Sequence, residues 1–142
     1  MSSPSRYTTA SEDETIALGQ KLAPTFGDGA VVLLIGNLGA GKTTLAKGIV
    51  SGLGVAPIEE IASPTFTLIH EYGGGVYHID LYRLDEPREV ESLGLDEIFS
   101  QARCVLIEWG ERFPALMPEP RWEIRLERTG DEDRTIVVSE VG

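Results

Sequence analysis

The chain has 142 residues, 42% of them apolar, and a formal charge of −11 from 12 basic and 23 acidic side chains. That length and apolar content support one hydrophobic core without disulfides, and the single cysteine, Cys104, has no partner in the chain and points to a reducing compartment. No apolar run approaches the roughly 20 residues that span a bilayer, the opening MSSPSRYTTASEDE lacks a signal peptide's apolar stretch, and the net negative charge opposes a phosphate backbone, so the expectation is a cytoplasmic protein, with no membrane role, that meets nucleic acid only through a partner.

In chain order, residues 1–10 read as an N-terminal extension containing a short edge strand, and residues 11–142 as a single domain without internal boundaries. Ser11 followed by Glu14 forms a capping-box pattern, and Ile16, Leu18, Leu22 and Ala23 supply the apolar positions of a helix that stops near Pro24. Ala30 to Ile35 is continuously apolar, as befits a strand buried on both faces, and a helix is expected from Lys42 to Leu53. Further strands are predicted over Thr65 to Glu71, Val76 to Leu81, Cys104 to Glu108, Trp122 to Leu126 and Thr135 to Ser139, with a helix around Pro87 to Leu93. Gly73-Gly74-Gly75 lies between two of these strands as a hairpin turn would, which makes part of the sheet antiparallel. The predicted fold class is α/β, with a mixed central sheet flanked by helices.

Gly36-Asn37-Leu38-Gly39-Ala40-Gly41-Lys42-Thr43-Thr44 matches G-x-x-x-x-G-K-[ST] and sits between a buried strand and a helix, where a phosphate-binding loop belongs. Its glycines allow a backbone wrapped closely around an anion, and the N–H groups of Leu38, Gly39, Ala40 and Gly41 lie at the positive end of the following helix. Lys42 brings a point charge to the β and γ phosphates, the Thr43 hydroxyl suits Mg²⁺, and Thr44 is a further candidate for a phosphate contact. These features predict a P-loop NTPase-like domain that binds ATP or ADP with Mg²⁺.

Such a site also calls for a carboxylate at the end of a neighbouring strand, and two are available. Glu108 ends the apolar run Val105-Leu106-Ile107, whereas Asp80 ends the mixed run Val76-Tyr77-His78-Ile79. Either acid also reads as a strand cap, and spacing alone does not rank them. His70 and His78 have no metal-ligand spacing and no cysteine pair nearby, so both read as structural; Cys104 reads as a small buried hydrophobe. The stretch from Asp85 to Glu91 reads as a solvated helix face.

The P-loop at 36–44, Ser63-Pro64-Thr65-Phe66-Thr67, His78-Ile79-Asp80-Leu81-Tyr82-Arg83-Leu84 and Glu108-Trp109 together resemble the bacterial TsaE (YjeE) family, over roughly Ser11 to Val138. The resemblance implies an ATPase that acts with TsaD and TsaB to make threonylcarbamoyladenosine in tRNA, with the transfer itself carried out by TsaD. Carried over by position, it makes Lys42 the phosphate lysine, Thr43 and Glu108 the Mg²⁺ ligands, and Asp80 a residue supporting hydrolysis. It also makes 63–67 a switch-like loop. From its place at the start of the first helix Ser11 is expected near the nucleotide, and from the C-terminal strand region Arg134 is expected within reach of the phosphates or adenine, while Trp109 is left to the pocket, to a partner or to simple packing. Asn37 stands where many relatives carry an acid, which bears on affinity rather than fold. A small-molecule kinase would share the loop, but no arginine-rich lid is evident; a nucleotide-gated binding module with negligible turnover is the stronger alternative.

Overall fold

The computed structural model describes residues 4–61 and 68–142; the predicted switch-like segment 63–67 and the start of the strand predicted from Thr65 lie outside them. Seven strands form one sheet in the order β1-β7-β6-β2-β5-β4-β3. These are β1 (Ser5–Thr9), β2 (Ala30–Ile35), β3 (Ile69–Glu71), β4 (Val76–Asp80), β5 (Cys104–Glu108), β6 (Arg121–Arg128) and β7 (Arg134–Val141). The four central strands run parallel, β6 beside β2, β2 beside β5 and β5 beside β4, while β1–β7, β6–β7 and β3–β4 pair antiparallel. The α/β class and the mixed sheet are therefore as the sequence predicts, and the triple glycine does turn β3 into β4, with Tyr72 N–H bonded to Val76 O at 2.9 Å.

Helices cover both faces of this sheet. α1 (Glu12–Leu22) and α2 (Lys42–Gly52) pack on one, where Leu18, Leu22, Leu45 and Ile49 meet Val32, Leu34, Leu106 and Ile124. α3 (Pro87–Glu91) and α4 (Leu95–Gln101) cover the other, burying Val90 and Leu95 with Val31, Leu33, Ile79, Val105 and Ile107. The alternation of β2 and β5 between these clusters follows from the two-residue period of a strand, and it explains why both strands read as unbroken apolar runs.

Ser11 starts α1 as the capping box predicts: its Oγ accepts the Glu14 N–H at 3.1 Å, and Glu14 returns Oε1 to the Ala10 N–H at 2.9 Å. α1 and α2 then cross at glycines. A Cβ on Gly19 would lie 2.6 Å from Leu45 O, and one on Gly52 would lie 2.9 Å from the Gln20 Cα, so the two backbones touch where larger residues would hold them apart. α4 was not predicted from the sequence; it is seven residues long and starts at Gly94, whose φ of +71° breaks the helical pattern running on from α3. Cys104 is fully buried, and burial pushes its thiol up to about 12, so it is no nucleophile at neutral pH.

Among the described residues no helix is long and apolar enough to cross a membrane.

Candidate nucleotide site

β2, β4 and β5 all end at the same edge of the sheet, and the loop leaving β2 turns directly into α2 beside the ends of the other two. Ligands of open α/β sheets gather at such carboxyl ends. Two cavities open here. The larger, about 420 Å³, is lined by the loop residues Leu38 to Thr44 together with Asp80, Tyr82, Glu108, Trp109 and Arg134. The smaller, about 260 Å³, shares Gly41, Thr44 and Arg134 with it and adds Glu12 and Thr15 of α1 and Asp131 and Glu132 of the β6–β7 turn.

The loop has the form an anion needs. Gly39 and Gly41 adopt φ of +81° and +98°, left-handed values that a side chain would strain, and α2 begins at Gly41 with no side chain capping it. Its first N–H groups therefore keep their hydrogen-bonding capacity for a ligand at the positive end of the helix dipole. Gly36 is required for a different reason: a Cβ there would lie 2.7 Å from Leu126 O, so the loop can leave β2 only by passing against β6.

Lys42 is 5% exposed, and its Nζ donates to Gly36 O at 2.8 Å while lying 3.5 Å from the centroid of the Trp109 ring. Burial holds its pKa below the ordinary 10.5, against the opposing pull of Glu108, Glu111 and Asp80. Trp109 reaches this position through a φ of +68°, a conformation costly for a bulky residue and concentrated at functional sites, and its ring lies 5.1 Å from that of Tyr82. Burial likewise raises the Glu111 carboxyl, countered by its own backbone N–H and by Lys42, Arg125 and Arg112; its Oε1 is buried without a hydrogen-bond partner among the described residues.

Bound phosphates would hold Lys42 protonated, so anion affinity belongs to the pH range below the free lysine's pKa and is lost as pH rises through it. ADP titrated in EDTA is expected to bind about tenfold more weakly per pH unit above that value, with the fall setting in below pH 10.5. A Lys42→Arg protein should show no such fall, because guanidinium stays charged throughout.

The two acids flank each other. Asp80 and Glu108 are paired in register across the parallel β4–β5 ladder, and both are almost fully buried. Glu108 Oε2 accepts the Thr43 hydroxyl at 3.2 Å; one oxygen of Asp80 accepts the Tyr82 N–H at 2.9 Å, tying the turn after β4. The hydroxyl and carboxylate that would share a hard cation are thus adjacent. Among the described residues no three His, Cys, Asp or Glu side chains gather into a metal cluster, so a Mg²⁺ ion held here would draw its remaining ligands from phosphate and water, as Mg²⁺ commonly does.

The structure therefore brings Leu38, Gly39, Ala40, Gly41, Lys42, Thr43, Thr44, Asp80, Glu108 and Arg134 to one cavity. Arg134 does so as a brace, its Nε and Nη2 donating to Ala40 O at 3.0 Å and Gly39 O at 3.3 Å. Ser11 lines neither cavity and is engaged in capping α1. Sequence reasoning missed His78, which reads as structural but whose Nε2 lies 2.6 Å from Glu108 Oε2. The signal was available in its position two residues before Asp80, since alternate residues of a strand share a face. It also missed Glu12, Thr15, Asp131 and Glu132, for which no local pattern exists.

Comparison with known proteins agrees with this fold. The family model described as Threonylcarbamoyl adenosine biosynthesis protein TsaE matches residues 9–136. The chain is 41% identical over 140 residues to the tRNA threonylcarbamoyladenosine biosynthesis protein TsaE of Bacillus subtilis, covering 96% of this chain and 86% of that one. It is 39% identical over 137 residues to the protein of the same name from Treponema pallidum, covering 94% and 99%. The crystal structure of Bacillus subtilis YdiB superposes with a TM-score of 0.80 at 36% identity, covering all of this chain and 88% of that one.

Proposed function

This chain belongs to the TsaE family of tRNA threonylcarbamoyladenosine biosynthesis, and from that premise we propose that it is a Mg²⁺-dependent ATPase, working with TsaD and TsaB and meeting tRNA only through that complex. The observation that carries the proposal is the hydrogen bond from Thr43 to Glu108 beside a buried Lys42 at the uncapped start of α2. Those three groups, from one loop and a neighbouring strand, are what a Mg²⁺–nucleoside triphosphate requires.

In this reading the N–H groups at the start of α2 and the Lys42 ammonium take the β and γ phosphates, and Lys42 exchanges the Gly36 carbonyl for phosphate oxygen. Thr43 and Glu108 would hold Mg²⁺, which when bound would neutralise charge on the phosphate oxygens. Asp80, in register with Glu108 at the wall of the same cavity, orients the attacking water; no covalent intermediate is needed. Thr44, Gly41 and Arg134 are common to both cavities, so the smaller one accommodates the nucleoside.

The cavity rim favours a second reading in part. Leu38 and Tyr82, 70% and 44% exposed, are the exposed large hydrophobics among the described residues, and both stand at its mouth. Apolar side chains there suit a docking partner, which is what a nucleotide-gated binding module also needs.

The test is ATP hydrolysis with Mg²⁺, by the protein alone and with TsaD and TsaB added. Turnover should rise with the partners, and Asp80→Asn should reduce it about 100-fold or more while ADP affinity stays within a few-fold of wild type. Nucleotide binding without any partner-stimulated turnover would replace the ATPase with the binding module.

A further inference from the structure

His78 is a fully buried imidazole on β4, and the parallel register sets it beside Leu106 with Asp80 beside Glu108. His78 and Asp80 point to the α1–α2 side of the sheet, the side on which Val76, Cys104 and Leu106 pack. From beneath the cavity its Nε2 reaches Glu108 Oε2 at 2.6 Å, the same oxygen that accepts the Thr43 hydroxyl at 3.2 Å. Its other nitrogen, Nδ1, is buried with no hydrogen-bond partner among the described residues.

That pairing is informative. A leucine or phenylalanine would fill the same space without burying an unpaired polar atom, which is costly in a dry interior. The return on a histidine here lies at Nε2. A proton on Nε2 leaves Nδ1 as a bare acceptor, whereas a proton on Nδ1 would strand a buried donor and set two lone pairs against each other at 2.6 Å. We propose that His78 is a positioning residue: its Nε2–H holds the Glu108 carboxylate against Thr43, so that these two oxygens meet the Mg²⁺ of a Mg²⁺–nucleotide already arranged. This rests on the Mg²⁺-ATPase reading and specifies what keeps its carboxylate in place. Without the imidazole, Glu108 turns about its side-chain bonds and the metal must order it.

The test separates metal from nucleotide. Wild-type protein is titrated with ADP in EDTA and in Mg²⁺, and Mn²⁺ binding to the ADP complex is followed by electron paramagnetic resonance. A wild type that binds ADP equally in both and takes up no Mn²⁺ overturns the Mg²⁺-dependent reading itself, before any variant is made. Given a metal-dependent wild type, His78→Phe keeps the ring and removes the donor; it should lose about 10–100-fold in Mn²⁺ affinity while binding ADP in EDTA like wild type. His78→Gln restores a donor and should recover part of that loss. Wild-type Mn²⁺ affinity in His78→Phe, or equal losses in the two variants, overturns the proposal, the latter because shape would then be what matters. Should His78→Phe fail to fold, the wild type decides: ¹⁵N-resolved imidazole spectra should place a proton on Nε2, with a resonance that shifts in Glu108→Ala, and a proton on Nδ1 alone overturns the assignment.

Discussion

A Lys42→Ala protein is expected to bind ADP about 100-fold more weakly than wild type, or worse, while melting within a few degrees of it. Lys42 is the cation set deepest in the cavity, with its Nζ held by Gly36 O at 2.8 Å and facing the Trp109 ring at 3.5 Å. Hydrogen bonds to charged groups contribute about 1.5–3 kcal/mol each, so losing one or two phosphate contacts amounts to roughly two decades of affinity. Stability should change little, because the substitution also removes a charge that burial disfavours, as the direction of its pKa shift indicates. Isothermal titration with ADP checks the first expectation and thermal melting the second. Wild-type affinity in this variant would remove the phosphate cradle from the account altogether.

The second large effect is expected far from any charge. Gly48→Ala should destabilise the fold by about 3 kcal/mol, although alanine is the better helix former by up to about 1 kcal/mol in an unpacked helix. A Cβ at Gly48 would run into Ile16 O and lie 2.9 Å from the Gly19 Cα, and both are backbone atoms that a rotamer change cannot move. Gly19 faces the same crossing from α1, so the helices can only separate. That separation reaches the site, since α2 carries Lys42, Thr43 and Thr44 while α1 carries Glu12 and Thr15 of the smaller cavity. Urea unfolding should show a lower midpoint with an unchanged slope, and ADP affinity should fall in parallel. A Gly48→Ala protein as stable as wild type would mean that the helices do not cross at this distance.

Much of the site was legible because P-loop chemistry is local. Gly39, Gly41, Lys42 and Thr43 lie within nine consecutive residues, and each is needed for a reason that a short peptide already displays: positive φ, charge, or a hydroxyl beside it. The capping box at Ser11 and the hairpin at Gly73 to Gly75 are local in the same way. The acids were legible as candidates and no further. Asp80 and Glu108 both end strands, and only the register of β4 on β5 sets them side by side, with Glu108 on Thr43 and Asp80 on the Tyr82 N–H.

Arg134 and His78 show where sequence reasoning stops. Arg134 stands 94 residues from the Ala40 carbonyl that it braces, and His78 stands 30 residues from Glu108; the two-residue period of a strand puts His78 on the face of Asp80 but does not say which strand lies beside it. The glycine crossing of α1 and α2 is also silent, since Gly19, Gly48 and Gly52 look in sequence like mild helix weakeners. By itself the sequence determined the phosphate loop, the doubly buried strand before it and the family resemblance, because periodicity, backbone freedom and a contiguous motif are properties of neighbouring residues. Only the tertiary structure decided which carboxylate faces Thr43, what holds that carboxylate and what closes the second cavity, because those depend on strand order and on how closely two helices approach.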